Sequence, residues 1–149
     1  MLRAQQSVSR FLAQGVPHIV LPGLDEISWG SFEGVTGIMD KDSVFLDLLT
    51  RWKAGDIMIK APGGESPLDV QERQQEFIQR LGNHSRGNVL VCMHGRALRI
   101  LLCTLTGTPL TEMEVFPHSN LCLYHILLQG GRAEFIQFND TAHLQEAIL

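Results

Sequence analysis

The sequence predicts an α/β fold in a single domain, and three observations carry that expectation. The chain has 149 residues, 44% of them hydrophobic, which is one core's worth of an ordinary globular protein. Short apolar runs alternate with stretches whose apolar residues recur every three to four positions. The junction at residues 89–106 shows both: Val89-Leu90-Val91-Cys92-Met93 reads as a buried strand, and Leu98, Leu101, Leu102 and Leu105 then line one helical face.

Taken in order, Leu2, Val8, Phe11 and Leu12 form a helical stripe over 2–13, Gly15 and Pro17 break it, and His18–Leu21 is a short strand. Residues 22–37 are loop-like, yet hold two carboxylates flanked by aromatics and glycines. Val44, Leu48, Leu49 and Trp52 predict a helix ending at Gly55, and Ala61-Pro62-Gly63-Gly64 is a turn. Ser66, Pro67 and Asp69 fit the N-cap, N1 and N3 positions of a helix running to about Leu81, with Val70, Phe77, Ile78 and Leu81 inward and Asp69 and Arg73 as a surface pair. Gly107 and Pro109 stop the helix that follows His94. Residues 120–128 and 132–138 are β-rich and joined by Gln129-Gly130-Gly131, a hairpin signal, and the tail beyond Asn139 is a short polar extension or helix.

Composition excludes several function classes. A net charge of −4 lacks the positive excess of a general nucleic-acid or membrane-surface binder. Cys92, Cys103 and Cys122 lie in apolar stretches without CxxC spacing, which reads as reduced core cysteines in a cytoplasmic protein. Neither a signal peptide nor a membrane-length apolar run is present. The histidines at 18, 84, 94, 118, 125 and 143 have no metal-ligand spacing, and GxSxG, GxGxxG and P-loop motifs are absent. At the carboxyl end of a strand and the start of a helix, His94 stands where anions are bound in open sheets. Taken alone it reads equally well as a histidine that caps a loop.

Four segments occur in a telling order: Leu2-Arg3-Ala4-Gln5-Gln6-Ser7; Leu24-Asp25-Glu26-Ile27-Ser28-Trp29-Gly30-Ser31-Phe32-Glu33-Gly34; Pro62-Gly63-Gly64-Glu65-Ser66-Pro67-Leu68-Asp69, with Arg73 one turn on; and Val91-Cys92-Met93-His94-Gly95. Together they resemble the histidine phosphatase superfamily, which holds cofactor-dependent phosphoglycerate mutases, fructose-2,6-bisphosphatases and alpha-ribazole phosphatases. The resemblance covers about 2–120 and implies a phosphoglycerate mutase-like three-layer fold, a mixed sheet flanked by helices. It implies phosphoryl transfer through a phosphohistidine on a small phosphorylated metabolite, with no metal or other cofactor and no nucleic-acid or membrane partner. By position, Arg3 resembles a phosphate-binding arginine, His94 the second histidine, which holds the transferring phosphoryl group, and Glu26 the general acid. Glu65 belongs to the Gly-Glu-Ser signature and is expected at the pocket wall, ranked below the other three. Arg96 follows His-Gly where many members carry glycine, which is expected to add a cation at the pocket's mouth.

The family's Arg-His-Gly motif, with its nucleophilic histidine, occurs nowhere in the 149 residues. The expectation is therefore a domain truncated at its amino terminus and missing its first core strand, inactive as it stands. Three explanations remain open: a mis-started or truncated reading of a complete enzyme, a degenerate relic, or a fragment that binds phosphate or forms a homo-oligomer through the exposed sheet edge. The resemblance also implies a phosphatase rather than a mutase, because the family's mutases carry longer insertions around the pocket and this chain looks compact.

Overall fold

The computed structural model describes residues 2–34, 39–83 and 87–145, with the backbone alone for 39–44. The end of the long loop at 35–37, the side chain of Val44, His84 and the last four residues of the tail lie outside the described residues. Helices α1 (Leu2–Ser7), α2 (Ser9–Ala13), α3 (Met39–Lys53), α4 (Pro67–Arg73), α5 (Gln75–Asn83) and α6 (Gly95–Thr106) precede a hairpin of β1 (Leu123–Gln129) and β2 (Arg132–Asp140). The order is mixed α/β, as the sequence predicts.

The centre of the molecule is α6. Its Ala97, Ile100, Leu101, Leu102 and Cys103 are all buried, in line with the apolar face read from the sequence, and Gly107 closes it in the left-handed conformation at φ 72°. Around it lie α4, β2 and the 3-10 segment Leu110–Val115. Ile27, Trp52, Val70, Leu110, Met113 and Phe116 complete the core, with Tyr124, Ile126 and Phe135 of the hairpin packed against it. Burial in this core pushes the Cys103 thiol up to about 11. Cys92 and Cys122 are only partly buried, so one of the three cysteines is the core residue expected of all of them.

The capping signal at Ser66 is realised in full. Ser66 Oγ accepts from the Asp69 N–H at 3.2 Å and Asp69 Oδ2 accepts from the Ser66 N–H at 2.9 Å, a reciprocal capping box. Because the box turns Asp69 back toward the helix start, the expected Asp69–Arg73 pair does not form. Asp69 bonds Lys60 Nζ at 2.7 Å instead. The single helix predicted to Leu81 is interrupted at Gln74, but Gln74 N–H still bonds Val70 O at 3.1 Å and its carbonyl accepts from Ile78 N–H at 3.1 Å, so the path continues to Asn83. Gln74 is fully buried, and its Nε2 donates to Ala97 O of α6 at 2.8 Å.

The sheet departs furthest from expectation. Among the described residues it is the two-stranded antiparallel hairpin alone, closed by Gly130 and Gly131 at φ 58° and 76°, as a type I′ turn requires. The strands expected at His18–Leu21 and Val89–Met93 carry no ladder among the described residues. Among the described residues the backbones of 17–20 and 88–93 make no hydrogen bond, and Ile19, Val20, Val89 and Leu90 are 69%, 54%, 46% and 55% exposed. The apolar pattern is that of strands, but a strand needs a neighbour, and none of the described segments lies in register beside these two. The amino-terminal stripe also fails to bury: α1 and α2 hold no buried residue, and Leu2 and Phe11 face solvent.

Two stability effects follow from the capping box. Replacing Ser66 by Ala removes a cap from a buried position and is expected to cost about 1 kcal/mol, read as a lower urea midpoint. Hydrogen bonds from Lys60, first, and from the Ser66 N–H hold the Asp69 carboxyl below its usual 3.8, at about 2. A depressed carboxyl stabilises the fold fully above a pH of about 4 and loses that contribution as the pH falls toward 2. Asp69→Asn is therefore expected to be less stable than the parent near neutral pH and to converge with it in acid, a comparison of thermal midpoints.

Candidate active site

The loop carrying Glu26 is held by one side chain, Arg73 of α4. Its Nε donates to Glu65 Oε1 at 2.8 Å and Nη2 to Glu65 Oε2 at 3.1 Å, a fork-to-fork pair with both groups about three-quarters buried. Nη1 donates to Gly23 O at 2.7 Å, and Nη2 to Asp25 O at 2.8 Å and Glu26 O at 3.1 Å. The guanidinium thus collects the carbonyls of an irregular loop that no helix or sheet ladder could satisfy. Glu65 extends the clamp: Oε2 also accepts from the Ser28 N–H at 2.9 Å.

A second clasp joins the same loop to the Ala61–Gly64 turn. Ser31 N–H donates to Pro62 O at 2.9 Å and Glu65 N–H to Ser28 O at 2.8 Å. Gly30, at φ 53°, stands so close that a Cβ there would lie 2.3 Å from Pro62 O. Only glycine meets both conditions. Glu65 is therefore placed behind the site as a support of the Glu26 loop, with its oxygens turned to Arg73 and Ser28.

So presented, Glu26 reaches the amino terminus of α6. Oε1 accepts from the Ala97 N–H at 2.8 Å and the Ile27 N–H at 2.9 Å, and Oε2 from the Arg96 N–H at 3.1 Å. Two of the N–H groups that a helix start leaves unpaired are filled by a carboxylate from a residue 70 positions away. His94 is the N-cap residue, extended at φ −112° and ψ 164°, and its side chain makes no capping hydrogen bond. Its Nε2 is buried with no partner among the described residues. The loop-capping reading of His94 is thus not what the geometry shows; Glu26 does the capping, and the imidazole keeps a nitrogen unsatisfied beside the helix start.

Of the four residues predicted from sequence, the structure brings Glu26 and His94 to one place and sets Glu65 behind them. Arg3 is exposed on α1 and, among the described residues, forms no ion pair, so nothing joins it to the other three. Arg96 does not open a cation at the mouth. Its guanidinium pairs with Glu114 and lies 6.0 Å from the Trp52 ring centroid, while Arg99 Nη1 meets the same carboxylate at 3.3 Å. A cleft of about 460 Å³ lined by Thr104–Gly107 and Gly131–Ala133 sits at the far end of α6, remote from His94.

Arg73 is the residue that sequence reading assigned to the surface. Its signal was present: Val70, Arg73 and Phe77 stand at i, i+3 and i+7, so a charge sits on the apolar stripe and must meet a partner there. Arg73→Lys keeps the charge but loses the fork, and is expected to cost about 2–3 kcal/mol in denaturant unfolding. Loss of the protected Arg96 and Ala97 amides in hydrogen exchange would accompany it.

The family model of the histidine phosphatase superfamily (branch 1) matches residues 1–141. Phosphoserine phosphatase 1 of Hydrogenobacter thermophilus is 27% identical over 124 residues, 81% of this chain and 57% of that protein. A second protein of that organism is 23% identical over 132 residues, 89% of this chain and 64% of its own length. The chain therefore spans about three-fifths of the curated relatives it matches. In fold it is similar to the alpha-ribazole phosphatase of Shigella flexneri, with a TM-score of 0.72 and 24% identity over 94% of this chain and 70% of that one. It is also similar to a mycobacterial glucosyl-3-phosphoglycerate phosphatase solved with inorganic phosphate, with a TM-score of 0.74 and 19% identity over 91% and 71%. With a family match across nearly the whole chain and the fold in agreement, this protein belongs to the histidine phosphatase superfamily, branch 1.

Proposed function

We propose that this chain carries the phosphate-holding part of a phosphomonoesterase that, in its complete form, hydrolyses a small phosphate ester through a phosphohistidine. The observation that carries the reading is the meeting of Glu26 and His94 at the amino terminus of α6, with Nε2 of His94 buried and unpaired. A helix start offers N–H donors and partial positive charge to a phosphoryl group, and an unpaired imidazole nitrogen offers one more contact. In this reading His94 holds the transferring group, Glu26 protonates the leaving oxygen, Glu65 shapes the wall through Arg73, and Arg3 is a phosphate ligand. Arg3 has the least support, being exposed and unpaired among the described residues. Glu26 must leave the α6 amides to reach a leaving oxygen.

The 149 residues hold no Arg-His-Gly, and loss of a nucleophile typically removes on the order of a millionfold in turnover. We therefore read the chain by itself as inactive. Three free thiols and the absence, among the described residues, of any helix long and apolar enough to cross a membrane support a cytoplasmic setting. A non-catalytic reading, as a phosphate-binding or oligomerising relic, is favoured by one observation: the apolar backbone at 88–93 makes no hydrogen bond among the described residues, as an edge open to a second copy would.

Phosphatase assays on a panel of small phosphomonoesters separate these readings, using the chain alone and the chain preceded by a strand bearing Arg-His-Gly. The expected outcome is background turnover for the first and measurable turnover for the second, lowered at least roughly a hundredfold by Glu26→Gln or His94→Ala. Turnover by neither form defeats the enzyme reading, and full turnover by the chain alone defeats the account of the missing nucleophile.

A further inference from the structure

We propose that His118 is a phosphate-contacting residue of the site at His94, an assignment that rests on the reading of that site as a phosphate holder. His118 lies on the connection between the Leu110–Val115 segment and β1, and its side chain is exposed. Its ring nevertheless stands directly on the first residue of α6. A Cβ at Gly95 would lie 3.1 Å from His118 Nδ1 and 3.2 Å from both Cε1 and Cγ, so the imidazole occupies the space that glycine leaves free.

The backbone on both sides of His118 is tied down by three different elements. Arg99 Nε of α6 donates to Phe116 O at 2.8 Å, the Tyr124 hydroxyl of β1 donates to Pro117 O, and Asn139 of β2 accepts from Ser119 N–H at 3.0 Å while its Nδ2 donates to Ser119 Oγ at 3.2 Å. Asn139 itself adopts φ 49° to do so. Burial pushes the Tyr124 hydroxyl up to about 12, so it remains a donor throughout the physiological range.

The exposed His118 imidazole makes no hydrogen bond among the described residues, so its ring nitrogens are open to a ligand. The neighbourhood supplies the ligand's chemistry. Arg96 and Arg99 spend their charge on Glu114, and two α6 amides are filled by Glu26. What is left at the helix start is the unpaired Nε2 of His94 on the buried side and His118 on the open side. Two imidazoles beside one helix start can donate to different oxygens of one phosphoryl group.

The test is a titration of the 149-residue chain with inorganic phosphate, followed by the imidazole ¹H–¹⁵N resonances and by calorimetry. Saturable shifts of the His118 ring together with those of His94 are expected. His118→Phe keeps a ring on Gly95 but no nitrogen, and should weaken phosphate binding roughly tenfold; His118→Gln restores a donor and should recover most of the affinity. An unmoved His118 resonance with parental affinity in His118→Phe overturns this assignment and leaves the reading of His94 standing. Failure of the parent chain to bind phosphate at all overturns both. The resonance titration needs no variant, so a substitution that impairs folding does not protect the proposal.

Discussion

Much of this molecule hangs on the guanidinium of Arg73. Residues 22–28 open on a 3-10 turn at Pro22–Leu24 and continue as irregular backbone, and the carbonyls of Gly23, Asp25 and Glu26 are paired by a side chain rather than by a ladder. One planar, permanently charged group on α4 meets these three closely and a fourth, Pro22 O, at 3.4 Å, while Glu65 neutralises its charge in bidentate fashion. A lysine could supply the charge but not the geometry, because its donors radiate from a single point. The consequence reaches beyond the loop itself. With its backbone fixed at Asp25 and Glu26, the Glu26 side chain is delivered to α6, and α6 is the helix around which the core is packed.

Glu26 therefore serves two ends. Structurally it fills N–H groups that every helix start leaves open, as a capping side chain does, although it comes from a distant loop. In the proposed function it also occupies the spot to which a phosphate would be drawn by the same N–H groups and the same helix dipole. In the proposed function, a phosphoryl group arriving at His94 would meet an internal anion already in place. On that proposal, phosphate binding and release of Glu26 would be coupled, and a carboxyl freed from the helix would be one able to reach a leaving oxygen.

The sheet shows the opposite situation, a demand left unmet. Val89–Met93 leads straight into His94 and α6, so it sets the position of the candidate site, yet its backbone makes no ladder among the described residues and its first two apolar side chains lie open. The hairpin holds because Tyr124, Ile126 and Phe135 pack on the core and the rings of Phe116, Tyr124, Phe135 and Phe138 interlock at centroid distances of 5.0–6.2 Å. The chain belongs to the histidine phosphatase superfamily and spans about three-fifths of the length of the curated relatives it matches.

Local signals in the sequence determined whatever depends on near neighbours. The capping box at Ser66, the apolar face and left-handed stop of α6, and the Gly130-Gly131 turn are set by residues within a few positions of one another, and all appear as read. Motif order likewise pointed to Glu26 and His94, and to the family. Tertiary structure decided everything that needed a distant partner. Strand-like runs at 18–21 and 89–93 carry no strand ladder among the described residues, because hydrogen-bonded neighbours cannot be read from the run itself. Asp69 and Arg73, matched by spacing, turned to Lys60 and Glu65 because a capping box and a loop of bare carbonyls competed more strongly for them. Arg96 was drawn to Glu114, and His118 was brought to Gly95 across 23 positions of chain. A pattern states which face of an element is apolar, but the satisfaction of charges and backbone groups is settled only when the elements meet.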